Sequence, residues 1–207
     1  TRLFLLSPPP PPVTATKPSA ILPSLLLLSL LFSSPLFIVK FKTDENFEIL
    51  GVSSIPSKGI DNGVIINLSD ATESIRLCIS QTEKISKVFI KKIYILLELG
   101  EFICTRISKY KKISGAKVEK DDISYLIREA KNQVISNNSQ QSIIHIFNYN
   151  YFIDDKKFES KPIGIFANRI RHELSLITAP TTILKNINQT LVNCDIGIAK
   201  FISKSFA

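Results

Sequence analysis

The stretch Ser57-Lys58-Gly59-Ile60-Asp61-Asn62-Gly63-Val64-Ile65-Ile66-Asn67 constrains the fold more than any other, because it sets a turn, a β-branched run and a helix start side by side. Gly59 and Asn62-Gly63 tolerate the positive φ of tight turns, and Val64-Ile65-Ile66 suits a buried strand. Asn67 or Ser69 can cap the helix that follows, whose apolar positions Ala71, Ile75, Cys78, Ile79 and Ile85 recur at helical spacing. Val88 to Leu97 then reads as a second strand. It is apolar on both faces apart from Lys91-Lys92, as an interior strand of a helix-covered sheet is. The segment is therefore expected to open a βαβ unit of an α/β fold.

A chain of 207 residues that is 44% hydrophobic can build one medium domain or two small ones. Its formal net charge of +8 raises nucleic acid, anionic membranes and acidic proteins as partners, so the distribution of charge matters. The charge is scattered, and no nucleic-acid-binding motif accompanies it. Its densest cluster, Lys109-Tyr110-Lys111-Lys112, lies between two strand-like runs and reads as a hairpin turn. Together with Arg106 it is the one candidate patch for an acidic partner. Cys78, Cys104 and Cys194 are far apart, lack Cys-x-x-Cys spacing and sit in apolar patterns, so they are expected to be buried thiols rather than ligands or nucleophiles. His145 alternates with Ile143, Phe147 and Tyr149, the setting of a hydrogen-bonded core histidine. No nucleophile, base and orienting acid occur at plausible spacing, so an enzyme is not expected.

Composition changes near residue 41. The first forty residues contain no Asp, Glu or Asn and hold Pro8 to Pro12, Pro18, Pro23 and Pro35, whereas only Pro56, Pro162 and Pro180 lie beyond. Ser19 to Val39 is uncharged and leucine-rich enough to be a membrane-span candidate, although prolines and serines interrupt it. Residues 1–43 are accordingly read as a Pro/Leu/Ser-rich leader, either a fused or frameshifted stretch or an apolar anchor.

Past the second strand, Phe102 to Ile107 and Ile113 to Val118 read as a hairpin across the lysine-rich turn. A helix follows with Ile123, Leu126, Ile127, Ala130 and Val134 on one face, Asp121 and Asp122 at its positive end, and Asn137-Asn138 at its close. Ile143 to Ile153 and Ile170 to Ile177 are strands flanking a charged loop. These pieces make a self-contained α+β unit. Beyond Pro180 the pattern returns to helix and then strand.

An α/β layer interrupted by an α+β insertion is an unusual order of parts, and the residues that carry it resemble the FtsA family, the bacterial actin homologues of cell division. The resemblance runs from about Phe47 to Ala207. Phe47-Glu48-Ile49-Leu50-Gly51-Val52 with Ser57-Lys58-Gly59 and Gly63-Val64-Ile65 resembles the second strand and following turn of that family's first subdomain. Val118-Glu119, Asp122-Ile123 and Ile144-His145-Ile146 resemble a helix start and strand of its insertion, and Lys161-Pro162-Ile163-Gly164, Arg169-Ile170 and Leu176-Ile177-Thr178 resemble its loop and last strand. The resemblance implies a partial actin-like ATPase (ribonuclease H-like) subdomain, 1A, interrupted by an inserted α+β subdomain, 1C. It implies domains at 44–99 (first part of 1A), 100–178 (1C) and 179–207 (return to 1A).

The resemblance further implies a parent that binds ATP and Mg, polymerises into filaments and tethers FtsZ. Such a parent would recruit later division proteins while peripheral to the inner membrane, on its cytoplasmic side, at the division site. ATP binding in actin-like folds uses an Asp-x-Gly-Thr hairpin and a later Asp-Gly-Gly loop, and neither is present here. No cofactor is therefore expected for this stretch, and its own work would be protein contacts, with Arg106, Lys109, Lys111 and Lys112 as partner-binding residues. Two other readings stay open: a membrane-anchored basic binding module, and a fragment of another actin-like ATPase such as a pilus-assembly relative.

Overall fold

The computed structural model describes residues 25–29, 33–41, 47–99 and 102–203. Two layers of secondary structure are built on two sheets. In the first, β1 (Leu25–Ser29), β2 (Ser33–Phe41) and β3 (Phe47–Pro56) form an antiparallel meander. β6 (Lys92–Leu97) lies parallel to β1 on its other side, and β11 (Gly197–Ser203) lies parallel to β6, giving the order β11-β6-β1-β2-β3. This is the ribonuclease H-like layer that the resemblance implies.

Two expectations change here. The compositional seam near residue 41 is not a break in the sheet: β1 and β2 fall within the Pro/Leu/Ser-rich stretch, and β1 occupies the middle of the layer. Of the membrane-span candidate, residues 25–29 and 33–39 are sheet strands, while 19–24 and 30–32 lie outside the described residues. Among the described residues no helix is long and apolar enough to cross a membrane. The second change concerns the opening motif. β4 (Ile60–Asp61) and β5 (Val64–Ile65) form only a small ribbon around Asn62-Gly63, both at positive φ, and Ile66 is exposed. The strand that enters α1 (Leu68–Ser86) is β3, at the far edge of the sheet, and the crossover passes over β2 and β1 before reaching β6. Two residues per strand cannot anchor a pairing against the long meander, so the β-branched run stays outside it.

α1 starts where the sequence places it. Asn67 Oδ1 accepts the backbone N–H of Ser69 at 3.0 Å and of Asp70 at 3.2 Å. Its buried face is Ala71, Ser74, Ile75, Cys78, Ile79 and Thr82, while Ile85 is exposed. Ser53 of β3 docks on that face, its Oγ donating to the Cys78 carbonyl at 3.0 Å and lying 2.5 Å from Thr82 Oγ1, which satisfies polar groups that burial would otherwise penalise. Lys87, in the left-handed region, ends the helix, and the Glu83 carboxylate then accepts the Ile90 N–H at 2.7 Å. That hydrogen bond keeps Val88 to Ile90 out of the sheet, so the second strand is shorter than its apolar run. Ile93, Ile95 and Leu97 of β6 join Ile75, Ile79, Leu184, Ile187 and Leu191 in the main core. The last three come from α3 (Thr181–Val192).

The inserted unit runs from β7 (Ile103–Lys112) through α2 (Lys120–Asn137), β8 (Gln141–Ile153) and β9 (Lys156–Phe158) to β10 (Arg169–Pro180). Its antiparallel sheet has the order β7-β10-β8-β9. The expected hairpin of Phe102 to Val118 does not form: β7 pairs with β10 across ten registered positions, and the lysine-rich cluster is the end of β7 rather than a turn. The charged loop instead holds the β8–β9 hairpin, turned by Asp154 and Asp155 at positive φ. α2 buries Ile123, Leu126, Ala130 and Val134 against Leu174, Leu176, Ile170 and Tyr151, the face the spacing predicts.

Candidate docking face of the inserted sheet

Because side chains alternate across a strand, β7 divides the predicted basic patch between two environments. Lys109 and Lys111 point to the α2 side. Lys111 Nζ lies 2.7 Å from Asp122 Oδ1, and Asp122 Oδ2 accepts the Glu119 N–H at 2.7 Å, closing the α2 N-terminus. Burial alone would raise the Asp122 pKa, but the Lys111 hydrogen bond, the Glu119 amide and the Lys111 charge together hold it below its ordinary value. Lys111 is thus committed inside the unit and is not a free patch residue.

Arg106, Ser108, Tyr110 and Lys112 point to the opposite side and are exposed. The β7–β10 register sets Lys112 beside Arg169, Tyr110 beside Arg171 and Ser108 beside Glu173. Arg106 lies over the Tyr149 ring, 5.4 Å from its centroid, and Arg171 over Phe152 at 3.8 Å. Arg171 also pairs with Glu173, and Arg169 with Asp155, each at 2.8 Å. Sequence reasoning missed Arg169 and Arg171, because their place beside Tyr110 and Lys112 depends on a register between strands about sixty positions apart.

The other singled-out residues are structural. Cys78 is buried and Cys194 half-buried, but Cys104 is exposed at the start of β7, against the expectation of three buried thiols. His145 Nε2 accepts the Ser203 N–H at 3.1 Å, joining β8 to β11. His172 is fully buried and stacked on Tyr151, with ring centroids 4.1 Å apart. Among the described residues no group of three or more His, Cys, Asp or Glu is placed to hold a metal ion.

An actin-like α/β layer split between β6 and α3 by an inserted sheet-and-helix unit defines the class of protein. Residues 101–178 match the family described as the SHS2 domain inserted in FtsA. The chain is 31% identical over 165 residues to the cell division protein FtsA of Buchnera aphidicola (subspecies Schizaphis graminum), covering 80% of this chain and 39% of that protein. It is 24% identical over 164 residues to FtsA of Escherichia coli, covering 79% of this chain and 39% of that one. Among solved structures, a chain of the PilM-PilN type IV pilus biogenesis complex shares the fold, with a TM-score of 0.59 at 10% identity over 87% of this chain and 47% of its own. The chain is an FtsA homologue and fits a fragment of that cell division protein, spanning about two-fifths of the length of these curated relatives.

Proposed function

We propose that this chain is a protein-contact part of an FtsA-like division protein rather than a catalytic one. The observation that carries the reading is the inserted unit itself, which has its own buried clusters, on α2 and β10, and is spliced into the actin-like layer between β6 and α3. In its full form such a protein would bind ATP, polymerise, tether FtsZ filaments at the cytoplasmic face of the inner membrane and recruit later division proteins. Neither an Asp-x-Gly-Thr nor an Asp-Gly-Gly sequence occurs in these 207 residues, which supports contacts rather than nucleotide binding as the work of this stretch. The insertion would then supply docking and filament contacts. A fluorescent fusion of the 207-residue chain, expressed in a rod-shaped bacterium alongside the resident FtsA, tests this. Accumulation at the division site is expected, and uniform cytoplasmic fluorescence would overturn it.

A further inference from the structure

We propose that the outer edge of β7 takes an acidic, extended segment of a partner protein as an added strand. The inference deepens the adaptor reading and rests on it only for the partner's being a protein. Among the described residues β7 has β10 as its one strand neighbour, so the other side of a ten-residue strand presents unpaired backbone groups. A long edge of this kind is a template for strand addition, in which main-chain hydrogen bonds give affinity and alternate side chains give selectivity.

The side chains specify the partner's chemistry. Ile103–Lys112 holds Arg106, Lys109, Lys111 and Lys112 and no acid. Lys111 is taken by Asp122, whereas Arg106 and Lys112 have no carboxylate partner among the described residues. Both stand on the exposed side of the sheet, roughly 20 Å apart at the rise of an antiparallel strand, with Ser108 and Tyr110 between them. Tyr110 is 73% exposed. A strand laid antiparallel along this edge would meet that ladder with an acid at each end of a seven-residue stretch and an apolar residue against the Tyr110 ring. Opposite charges directly across a strand pair stabilise it, and like charges destabilise it.

A nucleic acid fits less well. A phosphate chain wants a continuous run of free cations, but the neighbouring Arg171 and Arg169 are already held by Glu173 and Asp155, carboxylates that would repel phosphate. Edge lysines also discourage aggregation, but that role leaves unexplained why Arg106 and Lys112 flank an exposed tyrosine on one side.

The test is fluorescence anisotropy on the full chain with an acetylated, amidated, fluorescein-labelled peptide, Gly-Asp-Thr-Val-Thr-Thr-Thr-Asp-Gly. Saturable binding is expected, weakened at least tenfold by the double substitution Arg106→Glu with Lys112→Glu. The same peptide carrying lysine for both aspartates should prefer the doubly substituted chain, a swap that mere misfolding cannot produce. Methylating alternate peptide nitrogens should also cost at least tenfold. Equal affinity of the two chains for the aspartate peptide overturns the proposal, as does tighter binding of oligothymidylate than of the peptide. If the peptide fails to bind while the fluorescent fusion still reaches the division site, the β7 edge is removed and the adaptor reading stands. Binding without division-site accumulation supports the edge and removes the adaptor reading instead.

Discussion

The Ser203 amide donates to Nε2 of His145 at 3.1 Å, and this one hydrogen bond ties β11 of the actin-like layer to β8 of the insertion. Only a ring nitrogen without a proton can accept it. Burial, and then the Lys200 charge, hold the His145 pKa below its ordinary value, so the ring is neutral and the bond intact at pH 7. A folded pKa lowered below the unfolded 6.5 means that the unfolded chain takes up the proton first, and stability falls as pH drops below about 6.5. Amide exchange of Ser203, corrected for its intrinsic rate, should therefore speed up on acidification. His145→Phe should give the fast rate at every pH, at a cost of about 1 kcal/mol. A protection factor independent of pH in the native chain would contradict this.

His172 makes a stronger acid response inside the insertion. It is fully buried between β7 and β8, stacked on Tyr151, and neither ring nitrogen has a hydrogen-bond partner among the described residues. Burial first, and the Lys161 charge second, push its pKa down to about 4. Between pH 6.5 and 4 the unfolded chain binds the proton and the folded chain does not, so roughly 3 kcal/mol of stability is lost across that window. His172→Phe keeps the stack, removes the unpaired nitrogens and should flatten the loss. Urea midpoints at pH 7.5 and pH 5 check it: the native chain should fall markedly between the two, the variant far less.

How much of this was legible depends on range. The buried faces of α1 and α2 follow from 3.6-residue spacing, a local signal, and Ala71, Ile75, Ile123 and Leu126 all sit where it puts them. Lys109 to Lys112 misled because four polar residues in a row look like a turn, yet alternation sends Lys111 to Asp122 and Lys112 to the other side of the sheet. β1 and β2 were hidden by composition, since leucine, serine and proline describe a leader as well as a strand. What makes Leu27 central is its pairing with Tyr94, far along the chain. Cys104 was expected inside because its neighbours are apolar, but it lies on an edge strand where one side meets solvent.

Gly59 tests the opening motif. Its φ is +73°, and its carbonyl accepts the N–H groups of both Ile66 and Asn67. A Cβ there would stand 2.4 Å from the Asn67 carbonyl oxygen and 2.7 Å from the Ala71 nitrogen, backbone atoms that cannot yield without moving the start of α1. Gly115 has a similar φ of +82° with nothing within 4 Å. Gly115→Ala should cost on the order of 1 kcal/mol, the left-handed penalty alone, whereas Gly59→Ala should cost at least about 2 kcal/mol more. Urea denaturation of the two variants side by side reads the difference, and equal midpoints would show that the turn relaxes.

Asp122 joins two elements through one carboxylate: it accepts from Lys111 of β7 and from the Glu119 amide that caps α2. Its side chain is 13% exposed, while that of Lys111 is 37% exposed, so the pair is partly screened and its worth lies more in the cap than in the charge. Asp122→Asn keeps an acceptor for Glu119 and should cost about 1 kcal/mol; Asp122→Ala loses both and should cost about 2 kcal/mol. Lys111→Gln, which leaves the cap in place, should cost less than either. Because the folded pKa lies below the unfolded 3.8, the carboxylate's contribution is fully present at neutral pH and fades as pH falls below about 3.8, through the folded value. Thermal melts at pH 7 and pH 3 should therefore separate Asp122→Ala from the native chain at both, by a smaller margin at the lower pH. An unchanged gap would mean that the cap, and not the ionised carboxylate, carries the whole effect.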